Sequence, residues 1–364
     1  MEEWKEYKLG EITNMKNGKK RPQNNGVFPV YGGNGIMDYS DSYNAENAII
    51  VGRVGAYCGC VYKCESKCWV SDNAISIFAK DIADTQFLYY LMTTLDFHHH
   101  HIGGAQPLMT QDIIGDFTVS IPPLSIQHQI IQILKSLDDK IEVNKRINDN
   151  LEQQAQALFN YYFIDTPELL GGFSVGSLAD AANYVNGLAM QKYRPINGEK
   201  GIPVLKIKEL GQGRIDSSSD FCSNEIDSHY KVYDGDVIFS WSGTLMVKIW
   251  CGGECGLNQH LFKVSSKTTP KWFYYFWTKH HLDNFIRIAK DKAVTMGHIK
   301  RGELEKAEVL FPNSCVIKKL DTLMTPYLDQ ITEKECEIRK LSLLRDILLP
   351  KLMSGELKIT DINN

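Results

Sequence analysis

The stretch "SIPPLSIQHQIIQILKSLDDKI" (residues 120–141) reads as the end of a strand, a Pro-Pro stop and the opening of a long helix. Proline cannot donate to a ladder and pushes the residue before it out of the helical region, so the pair closes one element and frames the next. Beyond it Ile126, Ile130, Ile133, Leu137, Ile141, Leu151, Ala155 and Leu158 recur on one helical stripe, which Asn144 and Asn148 interrupt in its middle. A helix of this kind, starting after a globular-looking segment, marks the end of a globule and the start of a spacer.

The layout returns in "LFPNSCVIKKLDTLMTPYLDQI" (residues 310–331), whose stripe is Val316, Leu320, Leu323, Tyr327, Ile331, Ile338, Leu341 and Leu348. Pro326 is expected to kink this second helix, because it removes a donor and clashes with the preceding turn. Other segments recur in the same order. "YKLGEI" near the start answers to "FSVGSLAD" at Phe173, and "NAIIVGRVGAYCG" from Asn47 answers to "GDVIFSWSGTLMV" from Gly235. "QFLYYLM" (residues 86–92) answers to "KWFYYFW" (residues 271–277), and "IGDFTVSIPPL" to "LEKAEVLFPNS". A period of about 190 residues means two copies of a domain, not a solenoid. The expected class is α+β, with two mixed α/β globules and two long helices that pair antiparallel in coiled-coil fashion. A helix of about 40 residues is roughly 60 Å long, and one narrow stripe along it is most simply buried by a second such helix. The expected boundaries are a first globule at 1–122, a first spacer helix at 123–163, a second globule at 164–312, and a second spacer helix with its tail at 313–364.

A chain of 364 residues supports two real cores, and 43% hydrophobic with 23% charged residues is an ordinary folded composition. No apolar run reaches membrane-spanning length, and the charged start "MEEWKEYKLGE" reads as no signal peptide, so a cytoplasmic place is expected. Nine cysteines without a secretory signal fit a reducing compartment and free thiols. The formal charge of -4 argues only mildly against nucleic acid, which needs a local basic surface and not a basic whole.

Two globules, each leading into a long helix through a "P-P-L-x-x-Q" step, resemble the specificity (S) subunits of type I restriction-modification systems. "IPPLSIQHQIIQILKSLDDKI" is similar to the family's first conserved helix, with Ile126 where a Glu is usual. "LEQQAQALFNYYF" resembles that helix's end, and "LLRDILLPKLMSGELKI" (residues 343–359) the family's C-terminal signature. "FPNSCVIKKL" departs from the pattern by lacking the second Pro and the Gln. The resemblance implies two target recognition domains, each reading half of a split sequence in double-stranded DNA. It implies paired helices that set the gap and dock two modification (methyltransferase) subunits. The S-adenosylmethionine would belong to those subunits and not to this chain, and restriction (motor-nuclease) subunits can join them. A rod of roughly 60 Å would hold two readers more than one DNA turn apart, a turn being roughly 34–36 Å.

Catalytic motifs are missing. Neither a cofactor-binding Gly loop, an Asn/Asp-Pro-Pro-aromatic motif nor a Walker loop occurs. "GFSVG" (residues 172–176) matches a serine-hydrolase pattern, but it follows a helix where the elbow demands a strand. The chain therefore reads as a non-catalytic subunit. Its competitors are a fused or degenerate methyltransferase or nuclease, and a structural coiled-coil protein. Cys58, Cys60, Cys64 and Cys68 invite a zinc reading. However, Cys64 and Cys68 align with Cys251 and Cys255, so each pair is expected to flank a hairpin turn and no metal is assigned. The run His98, His99, His100 and His101 reads as a solvated loop.

Candidate DNA contacts in the first globule are Lys19, Lys20 and Arg21 in "MKNGKKRP", with Arg53 and Asn73. In the second they are Lys192 and Arg194 in "MQKYRP", then Asn258 and Gln259, then Lys290, Lys292, His298, Lys300 and Arg301. Lysines and arginines suit phosphate, whereas amides and guanidinium groups also suit base edges. Asn73 in one copy and Asn258 with Gln259 in the other align as polar breaks between strands and either read adenines or cap a turn, and Arg53 either reaches a guanine or forms a structural ion pair. Residues 279–301 form the most basic stretch, with Lys279, Arg287 and three histidines (His280, His281, His298) beside the lysines above. Helix pairing and subunit docking are assigned to Ile126, Ile130, Ile133, Leu137, Ile141, Leu151, Leu320, Leu323, Ile331, Ile338, Leu341 and Leu348.

Overall fold

The computed structural model describes residues 4–103, 106–196, 198–291 and 297–359. It divides into two compact units, one of residues 1–139 with 342–364 and one of residues 140–341.

In the first unit the outermost strands meet. β1 (Lys5–Lys8) pairs antiparallel with β8 (Thr118–Ile121), so the chain enters and leaves the globule side by side. Between them run α1 (Leu9–Ile12), β2 (Thr13–Asn17), β3 (Phe28–Gly32), β4 (Gly35–Ser40), β5 (Ala45–Gly52), β6 (Val61–Val70), β7 (Ala74–Ala79), α2 (Thr85–Thr93) and α3 (Gln111–Gly115). Strands β2 to β7 form one sheet in the order β2-β7-β5-β6-β3-β4, and only β3 and β6 run parallel. The apolar run in β5 needs two covered faces, and it has them. Ile49 and Val51 face a core with Phe87 and Leu88 of α2, while Ala48 and Ile50 face a second core with Cys64, Cys68 and Val70. Asp84 caps α2 by accepting from the amides of Gln86 (2.7 Å) and Phe87 (3.3 Å).

The second unit repeats the plan. Its elements are β9 (Phe173–Ser177), α5 (Leu178–Ala181), β10 (Asn183–Asn186), β11 (Ile202–Leu205), α6 (Ile207–Gln212), β12 (Phe221–Cys222), β13 (Lys231–Val232), β14 (Val237–Ser240), β15 (Met246–Ile249), β16 (Cys255–Leu257), β17 (Leu261–Ser265), α7 (Lys271–His280), α8 (Leu282–Asp291), α9 (Gly302–Glu305) and β18 (Glu308–Pro312). β9 pairs with β18 as β1 does with β8. The order β10-β17-β14-β15 matches β2-β7-β5-β6, but the remaining strands form a separate sheet, β12-β11-β16-β13.

The cysteines show why. Cys64 and Cys68 lie within the single strand β6, so the expected hairpin turn is absent there. The register between β5 and β6 slips at a bulge beside Asn47, whose φ of 45° is left-handed. At the matching place Cys251 and Cys255 do flank a turn, through Gly252 and Gly253 (φ 92°), and it leads from one sheet into another. One long strand in the first copy is thus two short ones in the second. Cys58 belongs to a different core from Cys64 and Cys68, and no group of three or more His, Cys, Asp or Glu among the described residues is placed to hold a metal.

Two long helices complete the units, α4 (Leu124–Asn160) and α10 (Ser314–Met353). The Pro-Pro step and α4 are tied to the first globule by Gln127, which is fully buried. Its amide donates to the carbonyls of Pro122 (2.8 Å) and Ile82 (3.1 Å) and accepts from the amide of Asp84 (2.9 Å). α10 starts without this device. Asn313 caps it, its Oδ1 accepting from the amide of Val316 at 3.0 Å. The helix runs as one element through Pro326.

The helices run antiparallel within each unit. In the second, Asn148 donates to Glu335 (2.8 Å), Tyr327 to Gln154 (3.4 Å), and Lys140 faces Glu337 (3.6 Å). In the first, Arg345 donates to Asp138 (3.0 Å), and Ile130 and Leu134 share a core with Leu352 and Met353. The seam of α4 repeats every seven residues through Gln127, Leu134, Ile141, Asn148 and Ala155, all buried. Ile126, Ile133, Leu137, Leu151 and, on α10, Ile338, Leu341 and Leu348 flank the seam half-buried, while Ile130 and Ile331 are buried in it. Leu323 does not pair: it is 40% exposed, and Leu320, Met324 and Leu328 take the buried places. Asn144 and Asn148 do not interrupt the stripe but lie in it, at 0% and 5% exposure.

Two outcomes test this packing. Gln127→Leu strands a buried amide and two carbonyls, and should lower the unfolding free energy by at least about 2 kcal/mol in denaturant titration. Equal stability would remove Gln127 from its anchoring role. Glu152 of α4 accepts from Lys279 and Tyr275 of the second globule, each at 2.6 Å. Burial works to raise its pKa, but these two donors outweigh burial and hold it below the ordinary glutamate range. A depressed carboxylate contributes stability above its unfolded pKa and loses it as pH falls through the folded one. The stability gap between wild type and Glu152→Gln should therefore shrink between pH 7 and pH 3, and a constant gap would refute the assignment.

Candidate nucleic-acid interface

At one end of each central sheet the loops are held by the same main-chain hydrogen bonds. In the first globule the amide of Gly18 donates to Ala74 O (3.0 Å) and that of Lys19 to Val70 O (3.0 Å). Arg53 N donates to Asn73 O (2.8 Å), Met109 N to Arg53 O (2.8 Å) and Gly55 N to Pro107 O (3.1 Å). In the second globule Gly187 N donates to Leu261 O (3.0 Å) and Leu188 N to Leu257 O (2.9 Å). Trp241 N donates to His260 O (3.4 Å), Ile299 N to Trp241 O (3.1 Å) and Gly243 N to Gly297 O (2.9 Å). The bridges correspond as well: Lys19 to Ser71 and Val54 to Leu108 in one, Leu188 to Asn258 and Ser242 to His298 in the other. Even the turn is capped alike, since Asn73 N points at Ser71 Oγ (3.4 Å) and His260 N at Asn258 Oδ1 (3.3 Å).

This frame collects some of the expected residues and leaves others outside. Lys19, Arg53 and Asn73 converge in the first globule. Lys20 is exposed just beyond them, and Arg21 is paired with Asp38 of β4. In the second globule Asn258, Gln259, His298 and Lys300 belong to the frame or its edge. Asn258 is 8% exposed and its Oδ1 serves the turn, so of its two open roles the geometry is that of the cap. Arg301 donates to Tyr184 O (3.3 Å), tying α9 to β10. Gln111 does the same work in the first copy: oriented so that both ends of its amide are satisfied, it donates to Met15 O at 3.2 Å.

Lys192 is exposed on a short turn outside the frame. Arg194 lines a cavity of about 330 Å³ with Gln191, Lys206, Asp220 and Asn258, where Lys206 and Asp220 form an ion pair. Lys290 is exposed on α8, and Lys292 lies outside the described residues. The basic stretch is weaker than it reads. Lys279 is spent on Glu152, and the imidazoles of His280 and His281 are pushed below their ordinary range, burial being the main cause for each. His98 to His101 form a short, largely exposed turn, in which His99 meets Asp96 at 2.7 Å.

Sequence reading missed Trp241 and His260. It aligned Asn73 with Asn258 and Gln259 as polar breaks between strands, whereas the hydrogen bonds align Asn73 with His260 and Ser71 with Asn258. The short Gly-bounded turns "VGRVG" and "SWSG" after β5 and β14 were the available signal for Trp241.

Two globules with one frame and different side chains, each leading into a paired helix, define a protein that presents two variable surfaces on a common plan. Residues 1–153 match the family model described as the type I restriction modification DNA specificity domain. The chain is 26% identical over 314 residues to the specificity subunit of the type I restriction enzyme MjaIX of Methanocaldococcus jannaschii, covering 79% of this chain and 72% of that one. It is 24% identical over 339 residues to a type I restriction enzyme specificity subunit of Haemophilus influenzae, covering 85% and 83%. The fold matches the crystal structure of the S subunit of the type I restriction-modification system from M. genitalium with a TM-score of 0.62 over 96% of both chains, at 14% identity. Over most of its length the chain is thus similar to specificity subunits of type I restriction-modification systems. No helix among the described residues is long and apolar enough to cross a membrane.

The frame depends on glycine at one point in each copy. A Cβ on Gly187 would stand 2.2 Å from Asn258 O, and one on Gly18 would stand 1.9 Å from Ser71 O. Backbone cannot yield there as a side chain would. Gly187→Ala should cost about 1–3 kcal/mol or more and speed hydrogen exchange at the Leu188 and Leu261 amides, leaving the first globule's amides unchanged. Unchanged exchange at both would show that the frame is not held at this contact.

Proposed function

We propose that the chain reads a bipartite target in double-stranded DNA, one half with each globule, while α4 and α10 set the gap and dock two methyltransferase subunits. The observation that carries this reading is the duplicated frame: a main-chain scaffold built twice, with Lys19, Arg53 and Asn73 in one copy against Leu188, Trp241 and His260 in the other. Main-chain bonds hold such a scaffold whatever its side chains are, so each copy can present its own chemistry to base edges. Lysines and arginines around each frame supply the phosphate contacts.

Docking draws on side chains that the seam leaves over. Val143 and Ile147 of α4 are 47% and 37% exposed in the second unit. Leu343, Leu344 and Ile347 of α10 are 56%, 45% and 57% exposed in the first. Apolar groups held out to water on a regular helix suit a protein partner. The buried seam residues are consumed by helix pairing, and docking falls to these. The partner subunits carry the S-adenosylmethionine and the methyl-transfer chemistry, restriction subunits join them, and the assembly works in the cytoplasm. The fused or degenerate enzyme is the second reading, and methylation by the purified chain alone would favour it.

The test combines the chain with its methyltransferase subunit and maps methylated sites. Two half-sequences at one fixed gap are expected. Inserting seven residues after Asn144 and seven after Ile338 keeps the seam in phase and adds about 10 Å of rise, about three base-pair steps. The gap should lengthen and both half-sequences persist. A changed half-sequence at an unchanged gap would remove the helices from the spacer role.

A further inference from the structure

Resting on that reading, the frame singles out which side chains do the reading in the second globule. We propose that Trp241 and His260 are specificity-determining residues of the second half-site, holding the places that Arg53 and Asn73 hold in the first globule.

The equivalence is one of hydrogen bonds and not of sequence. The residue donating its amide across the frame is Arg53 in one copy and Trp241 in the other, and the accepting carbonyl belongs to Asn73 and to His260. The same carbonyl of Arg53 or Trp241 then accepts from Met109 or Ile299. Backbone positions constrained alike from both sides launch their side chains alike. None of the four side chains is buried: Arg53, Trp241 and His260 are half-exposed and Asn73 is exposed.

The chemistry they carry is opposed. Arg53 and Asn73 offer the guanidinium and amide groups suited to paired hydrogen bonds on guanine and adenine. Trp241 and His260 offer flat rings, 6.0 Å apart between centroids. The indole N–H donates to Asn186 Oδ1 at 3.0 Å, which fixes the ring's orientation and removes its donor. Trp241 can therefore act on DNA only by ring contact, the kind that suits a thymine methyl group. The Nε2 of His260 stands 3.3 Å from the amide nitrogen of Gln259, and its Nδ1 is buried, so the half-exposed ring is what it presents. Positive charge has shifted too. Lys19 and Arg53 answer to Leu188 and Trp241, whereas Lys300 stands in the second copy where the chain has Thr110 in the first. The second globule thus reads with flat rings at its centre and holds phosphate from its edge.

The experiment uses the full chain with its methyltransferase subunit, on a DNA library randomised at each half-site. The variants are Trp241→Ala, His260→Asn, and Trp241→Arg combined with His260→Asn. The expected result is a change of about tenfold in preference at one or more positions of the second half-site, of the size a base contact commands. The first half-site should stay as it was, which also reports a folded chain. Lys300→Ala should instead weaken binding to all sequences alike and lower the salt slope by about one unit. If the double variant misfolds, the two single variants decide. Preference at the second half-site held within about twofold in both single variants would overturn the inference. A wild-type complex with no sequence preference at either half-site would instead overturn the DNA reading itself, and this inference with it.

Discussion

The close approach of two backbones is the constraint on which the two surfaces depend. Gly18 lies against Ser71 O and Gly187 against Asn258 O, with no room for a side chain. That contact brings the loop after β2 or β10 onto the turn before β7 or β17, and the bonds from Arg53 or Trp241 complete the frame. The bonds that join its loops are between main-chain groups. Such bonds cost nothing in side-chain chemistry, so the positions they fix are the ones that can differ most between copies without disturbing the fold. The closing pairs β1 with β8 and β9 with β18 act with them, for they return the chain to its starting edge, where a long helix can begin at once.

The helices answer a different requirement. A seam of Leu and Ile alone would let one helix slide along the other, since apolar contacts have no direction. Asn148 donating to Glu335 inside the seam, and Arg345 donating to Asp138 in the other unit, favour the registers in which these groups meet. A buried amide is weak as a source of stability, because desolvation offsets most of what its hydrogen bond returns. Its physical consequence is register. Glu152, shared between Lys279 and Tyr275, does similar work between α4 and the second globule.

The comparison of the two cores shows how little local change separates one sheet from two. β6 runs unbroken from Val61 to Val70, and the matching segment is cut by Gly252 and Gly253 into β15 and β16. Trp250, fully buried, donates to Gly253 O at 2.7 Å and holds the break. With that strand divided, the outer strands of the second globule form a sheet of their own, with its own core around Leu205, Val232 and Leu257. Equal spacing of the cysteine pairs concealed this difference, because spacing does not tell a turn from a bulged strand.

The two-copy plan, the α+β class, the two long helices and the strands that close each globule were legible in the residues alone. Periodic apolar positions, proline stops and shared segment order are local signals, and local signals survive in a one-dimensional string. What only the tertiary structure decided were the contacts between distant segments. Asn144 and Asn148 read as breaks in a stripe until a facing helix gave Asn148 its Glu335. Leu323 read as core because its spacing was right, although Met324 and Leu328 hold the buried side. Trp241 and His260 could not be matched to Arg53 and Asn73 from the string, because their likeness lies in main-chain bonds between loops far apart in sequence. Those bonds are made by groups that every residue carries, so they leave no mark on residue identity.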